Sequence, residues 1–272
     1  MKSRHLVVNL LILALIRECS SNQGELYGTC DDSFSCGNIS GFKYPFRRHQ
    51  DPVYCGYPGF ELNCDEENPP IINITNINYR VLSIDPTSQI LKIMQEDMTD
   101  SICPQDPVNT TIDNNLFSHT SKYMNISYLF GCPVSFDSAG YIGSIFCNNN
   151  GVDHVFLSYG ARGPGSCKTS VILPVPDRFM APSDLGPFVH QGFEVKWNVG
   201  VGPCTDCMQS GGQCMYSNVT SLTTCACPEP PFLADSCLSD NKTRVSSSPS
   251  SEKSRLCAKQ VSCILRSVIW GQ

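Results

Sequence analysis

Between residues 71 and 96 the chain reads INITNINYRVLSIDPTSQILKIMQED, rich in Ile, Val, Thr and Tyr and interrupted by the turn residues Asp85-Pro86-Thr87-Ser88. β-branched side chains fit a pleated, half-buried surface, and Asp-Pro clusters mark turns. The pattern predicts strands over about 71–77, 79–84 and 89–95. In the last, Ile90, Lys92 and Met94 alternate with Leu91, Ile93 and Gln95, so neither face is cleanly polar. Further strands are expected over 122–130 (KYMNISYLF), 142–146, 153–159 (DHVFLSY), 168–175 (KTSVILPV) and 192–199 (GFEVKWNV). Pro174 and Pro176 end their strand or place it at a sheet edge, because proline cannot donate to a central ladder. One short helix is expected within 177–190. No segment sustains a 3.6-residue period, so the fold class is mostly β, with long loops and little helix.

The two ends differ from this pattern. Lys2 and Arg4 precede the apolar run LVVNLLILALI (6–16), and small residues follow, with cleavage expected after Ser21. A run of 11 residues falls short of the ~20 that span a bilayer. Residues 1–21 therefore read as a secretory signal peptide. Residues 240–272 are Ser- and Lys/Arg-rich, then weakly apolar (VSCILRSVIWGQ), and are expected to form a disordered tail without a membrane span.

Export implies oxidised cysteines. Of 17, Cys19 leaves with the leader, and Cys257 and Cys263 lie in the tail. Fourteen remain as disulfide candidates. Eight form one group: Cys30, Cys36, Cys55, Cys64, Cys103, Cys132, Cys147 and Cys167. Six form a second group: Cys204, Cys207, Cys214, Cys225, Cys227 and Cys237. Each group is even and could close internally, although pairing is not readable from spacing. Cys225 and Cys227 are too close in sequence to pair with each other. The gap between Cys167 and Cys204 suggests two small extracellular modules, 22–189 and 190–239. Sequons at Asn38, Asn73, Asn109, Asn125, Asn218 and Asn241 agree with export and mark surface positions.

Composition narrows the chemistry. A formal charge of −6 argues against nucleic acid and anionic membranes as partners. There is no Gly-x-Ser-x-Gly elbow, HExxH or P-loop. His49, His119, His154 and His190 are scattered and read as surface residues. Acidic pairs such as Asp65/Glu66 or Glu96/Asp97 would need a spacing of roughly 5–10 Å across a cleft to hydrolyse glycosides, and read as solvated loop charge. No catalytic residue and no cofactor are expected. Cys204-x2-Cys207 and Cys225-x-Cys227 would suggest zinc in a reducing compartment, but disulfides are the expectation after a leader. Glu61, Asp65, Glu66 and Glu67 lack the ligand spacing of a calcium loop. No metal is expected.

One cluster remains. In CGNISGFKYPFRRHQDPVYCGYPGFELNC (36–64) the residues Lys43, Tyr44, Arg47, Arg48, His49, Tyr54 and Tyr57 gather aromatic faces and cations. Sugars stack C–H faces on aromatic rings, and arginine forks onto the carboxylate of an acidic sugar. These seven are the candidate ligand-binding residues. The alternation of Tyr44 and Phe46 with Lys43, Pro45 and Arg47 also fits a half-buried strand with Phe46 in the core.

CG…YPF followed by CGYPGFELNC resembles the galacturonan-binding domain of plant wall-associated receptor kinases, including the leaf-rust-resistance type. Tyr79–Ile84 and Gly131-Cys132 fit that resemblance. Gly192-Phe193…Trp197, Cys204-x2-Cys207-x2-Ser210-Gly211-Gly212-x-Cys214 and Cys225-x-Cys227 resemble the associated C-terminal domain. The similarity covers residues 30–237. Arg47-Arg48 stand where many relatives have Trp, and Met215 where many have Gly. The resemblance implies a secreted, glycosylated, non-catalytic ectodomain in the plant cell wall that binds pectic polysaccharide or oligogalacturonide. The alternative it leaves is an ectodomain whose partner is a peptide or another receptor ectodomain. Span and kinase are absent from the sequence, so a secreted product or a truncated receptor is expected.

Overall fold

The computed structural model describes residues 26–65, 68–103, 108–110, 112–133, 140–149 and 152–237. The expected leader 1–21, Glu66, Glu67, Asn241, Cys257, Cys263 and the expected tail 240–272 lie outside the described residues. Among the described residues the architecture is mostly strand, with two short α-helices and a disulfide framework. No described helix is long and apolar enough to cross a membrane.

In chain order the strands are β1 (Phe34–Cys36), β2 (Ile39–Phe42), β3 (Arg47–Arg48), β4 (Glu61–Asn63), β5 (Ile71–Ile74), β6 (Ile77–Asp85), β7 (Ile90–Gln95), β8 (Phe117–His119), β9 (Tyr123–Phe130), β10 (Tyr141–Asn149), β11 (Val152–Tyr159) and β12 (Thr169–Pro176). Then come helix α1 (Leu185–Gln191), β13 (Phe193–Trp197), helix α2 (Val201–Gln209), β14 (Gln213–Ser217), β15 (Leu222–Ala226) and β16 (Leu233–Ala234). β1 and β2 form a small pair. β3-β4-β5-β6-β7-β13-β8 form one sheet, β10-β11-β9-β12 a second, and β14-β15-β16 a third.

The expected strand 71–77 is split. Thr75 and Asn76 both take positive φ (51° and 65°), so the chain reverses at a two-residue turn between β5 and β6. The turn after β6 forms as its residues predict: Asp85 Oδ1 accepts the N–H groups of Thr87 (2.9 Å) and Ser88 (3.2 Å). β12 occupies a sheet edge, as Pro174 and Pro176 require.

The chain divides into two compact units. One is Asp31–Val201; the other comprises the described parts of Met1–Cys30 and Gly202–Gln272. This division falls later than the expected module limit at 189/190. The reason is β13, which pairs with β7 (Phe193↔Ile93, Val195↔Leu91) and β8, and so belongs to the sheet of the larger unit. Gly192 makes that return possible: at φ 66° it ends α1, and a Cβ there would run into the Ile93 carbonyl.

The larger unit has two cores. Around the seven-stranded sheet, Phe46 lies at the centre of an aromatic cluster. Its ring sits 5.7 Å from Phe42, 5.3 Å from Phe60 and 5.1 Å from Trp197. All four rings are buried. Burying each is worth about 1.5–3 kcal/mol. The second core packs Ile126, Tyr128, Val155, Leu157, Val171 and Leu173 of the four-stranded sheet against Phe179 and Leu185. Disulfides Cys36–Cys64, Cys103–Cys147 and Cys132–Cys167 staple this unit. Cys30 and Cys55 are also disulfide-bonded.

In the smaller unit Cys204 and Cys207 stand one helical turn apart, so both face the same side of α2. They bond to Cys214 on β14 and Cys225 on β15, while Cys227 bonds to Cys237. Neighbouring Cys225 and Cys227 thus take different partners. Gln213 ties down the preceding segment: its Oε1 accepts the Gly28 N–H (3.1 Å) and its Nε2 donates to the Cys30 carbonyl (2.5 Å).

Candidate functional site

β3 runs parallel to β4, with Arg47 opposite Glu61 and Arg48 opposite Leu62. Phe46 points into the core, so the next side chain, Arg47, turns to the outer face. There its Nη1 donates to the carbonyls of Arg48 (3.1 Å), His49 (3.2 Å) and Asp51 (3.1 Å), and its Nη2 pairs with Glu61 Oε2. His49 Nδ1 meets the other Glu61 oxygen. One carboxylate therefore joins two of the candidate residues.

Arg48 is held separately. Its Nε binds Asp51 (3.1 Å), its Nη2 pairs with Asp31, and its guanidinium lies 5.0 Å from the Phe34 ring centroid. The Asp51 carboxylate also accepts the Arg48 N–H at 2.8 Å. Burial pulls the guanidinium pKa down, but its bonds to Asp31 and Asp51 outweigh this and hold it above the ordinary value. The Arg47 and Arg48 side chains are only 13% and 26% exposed. Both arginines are thus engaged in shaping the loop from Arg47 to Asp51.

The remaining sequence candidates sit elsewhere. Lys43, Tyr44, Tyr54 and Tyr57 are half-buried. Tyr57 packs edge-on against Phe60 at 6.3 Å, and the Tyr44 ring lies against Gly200, where a Cβ would come within 2.7 Å of it. None of the four lines the pocket described next.

That pocket is open, about 190 Å³ in volume, and lined by Gly59, Glu61, Asn63, Ile71, Asn73 and Asn78. Strand alternation builds it. Leu62, Ile72 and Tyr79 point into the core, so Glu61, Asn63, Ile71, Asn73 and Asn78 project from the opposite face of β4, β5 and β6. Register aligns Asn63 with Ile71 and Asn73 with Asn78, and Asn73 Nδ2 donates to Asn78 Oδ1 at 2.8 Å. Arg80, opposite Ile71, lies on the same face. Among the described residues it forms no salt bridge. Sequence reasoning missed Asn63, Asn78 and Arg80 as site residues. The alternation in ELN and INYR was visible, but the register that brings them together was not.

The chemistry follows from these groups. Three amides can each donate to and accept from hydroxyls. Glu61 is engaged by both Arg47 and His49, so its acceptor capacity is shared between these neighbours. The six cysteines from Cys204 to Cys237 are engaged in disulfides and are not free thiolates for a metal.

Residues 30–95 match the model of the wall-associated receptor kinase galacturonan-binding domain, and residues 147–230 that of the wall-associated receptor kinase C-terminal domain. Among curated Arabidopsis thaliana proteins, the chain is similar to leaf rust 10 disease-resistance locus receptor-like protein kinase-like 2.8. It is 30% identical to that protein over 211 residues, covering 74% of this chain and 22% of the relative. It is 29% identical to the like 1.4 protein over 193 residues (69% and 28%), and 26% identical to the like 1.3 protein over 228 residues (81% and 32%). The chain thus spans less than a third of the length of each of these relatives. No solved structure matches it. The matched domains are the extracellular, non-catalytic parts of receptor kinases. With both domain types present in order, the chain belongs to the wall-associated receptor kinase ectodomains, beside those of the leaf-rust-resistance receptor-like kinases.

Proposed function

We propose that this ectodomain binds pectic polysaccharide, with galacturonate units seated on the outer face of β4–β6, and that it binds without turnover. The observation that carries this reading is the coincidence of the galacturonan-binding match at 30–95 with a small, open, amide-lined pocket inside the same span. Such a volume suits a single sugar ring rather than a drug-sized ligand, whose pockets run to several hundred Å³. Asn63, Asn73 and Asn78 supply paired donors and acceptors for ring hydroxyls. Arg80 supplies the cation that a uronate carboxylate needs. Arg47, Arg48 and His49 act indirectly in this reading: they fix the loop and the Glu61 carboxylate that edges the pocket. Lys43 and the three tyrosines of the 36–64 segment remain candidates for contacts to a longer oligomer.

The test is calorimetric titration of the secreted, oxidised protein with a de-esterified galacturonate oligomer. Asn63→Ala/Asn78→Ala is expected to weaken binding about tenfold, equivalent to ~1.4 kcal/mol. Arg80→Gln is expected to weaken it and to flatten its salt dependence. Wild-type protein that takes up no oligomer, or variants that bind as wild type does, would overturn the proposal.

A further inference from the structure

The outer face of the four-stranded sheet carries a row of aromatic rings outside the residues discussed so far. β10 is the edge strand opposite β12, and Phe146 on it is 76% exposed. Register places Phe146 opposite His154, and Ser144 opposite Phe156. The rings follow one another across β10 and β11: Phe146 to His154 at 4.2 Å, His154 to Phe156 at 6.5 Å, and Phe156 to Tyr141 at 5.8 Å. Tyr141 is 49% exposed. Ile145, Cys147, Val155 and Leu157 already supply the inward face, and on the outer face Phe146, His154 and Tyr141 are exposed while Phe156 is half-buried between them.

A cation stands at the Tyr141 end. Arg162 is exposed; its Nε donates to the Tyr159 carbonyl at 3.0 Å, and its Nη2 lies beside Gly140, 3.2 Å from where a Cβ would be. Its backbone N–H binds Ser127 Oγ on the same outer face, which fixes the loop that carries it. Among the described residues no carboxylate pairs with it, in contrast to Arg47 and Arg48.

We propose that this strip is a second saccharide-binding surface, one that stacks successive rings of an acidic polysaccharide on Phe146, His154, Phe156 and Tyr141 and pairs a uronate carboxylate with Arg162. Aromatic faces beside a polar ring and a hydroxyl (Ser144) suit the C–H faces and hydroxyls of sugars, and a guanidinium with no carboxylate partner among the described residues suits an anionic one. A slender ligand fits better than a broad partner. On the β9 side the face is occupied by Gly160 and Arg162, whose backbone bonds Ser127 Oγ, by Gly140, whose carbonyl accepts from Ser158 Oγ, and by the exposed sequon residue Asn125. The ligand class is taken from the proposed function, while the site is a separate one.

The experiment compares three probes: a de-esterified galacturonate oligomer, its methyl ester, and a neutral cello-oligosaccharide. Phe146→Ala/His154→Ala is expected to lower affinity for both galacturonate forms about tenfold. Arg162→Gln is expected to lower it only for the de-esterified form. Phe146→Trp should retain binding and report it by a fluorescence change, which guards against misfolding of the alanine variant. Strip variants that bind all probes like wild type overturn this surface while leaving the pocket intact. Pocket variants without effect, alongside strip variants with one, overturn the pocket instead. A strip variant that changes only the solution mass, with binding preserved, shows a face for a second copy and also overturns the saccharide surface.

Discussion

Adjacent residues in the YPFRR segment have opposite tasks. Phe46 fills the core, while Arg47 and Arg48 spend their charge on Glu61, Asp31 and Asp51. A basic doublet in an acidic chain reads as a ligand signal only until its partners are known. His119 offers a test at the same scale. It ends β8 and packs near Phe193, ring centroids 6.4 Å apart. Its side chain is exposed at one side, and partial desolvation of the ring depresses its pKa below the ordinary imidazole value. The unfolded chain therefore binds the proton at higher pH than the folded one. Stability attached to this residue is complete above the unfolded pKa of about 6.5, and falls as pH drops through the depressed folded value. His119→Gln is expected to reduce the loss of Tm between about pH 7.5 and pH 5. Equal losses in both proteins would remove His119 as a source of acid sensitivity.

At the scale of elements, the strands rich in β-branched residues were legible, and so was the edge position of β12. β5 and β6 were blurred because Thr75 and Asn76, neither a glycine, adopt left-handed backbone conformations. Helix α2 was not legible at all: VGPCTDCMQ contains Gly and Pro and has no apolar stripe, so its order comes from two disulfides rather than from propensity. The pocket was hidden for a different reason. Its residues come from three strands whose mutual register depends on turns and core fit. The smaller unit makes a sharp prediction here. Gly212 sits where its missing side chain leaves room for sulfur; a Cβ would collide with the Sγ atoms of Cys225, Cys237 and Cys207. Gly212→Ala is therefore expected to block native pairing of the Cys204–Cys237 cysteines. Thiol labelling of the secreted variant should find free or mispaired sulfhydryls. A fully oxidised variant with the native peptide map would show that the sulfurs can give way.

For the whole molecule, the sequons outline which surface stays open. Asn38, Asn73, Asn109, Asn125 and Asn218 are all exposed, as enzymatic glycan transfer requires. Asn109 keeps its Oδ1 on the Ile172 N–H at 2.8 Å, a bond that attachment at Nδ2 leaves intact. Asn73 is different, because it both lines the pocket and donates from Nδ2 to Asn78. A glycan there would rise directly from the surface that the proposed ligand needs. Occupancy at this one sequon then sets the fraction of molecules whose β4–β6 pocket is open to ligand, whereas the other four leave the pocket lining untouched. Glycopeptide mass spectrometry of protein separated on immobilised de-esterified galacturonan should find Asn73 unmodified in the retained fraction and modified in the flow-through. Thr75→Ala, which removes the sequon and keeps the Asn73 side chain in the pocket, should enlarge the retained fraction, while Asn38→Gln and Asn218→Gln should not. Equal Asn73 occupancy in the two fractions would mean that ligand reaches the protein by a route avoiding the β4–β6 face, and would shift the weight of binding to the aromatic strip on β10 and β11.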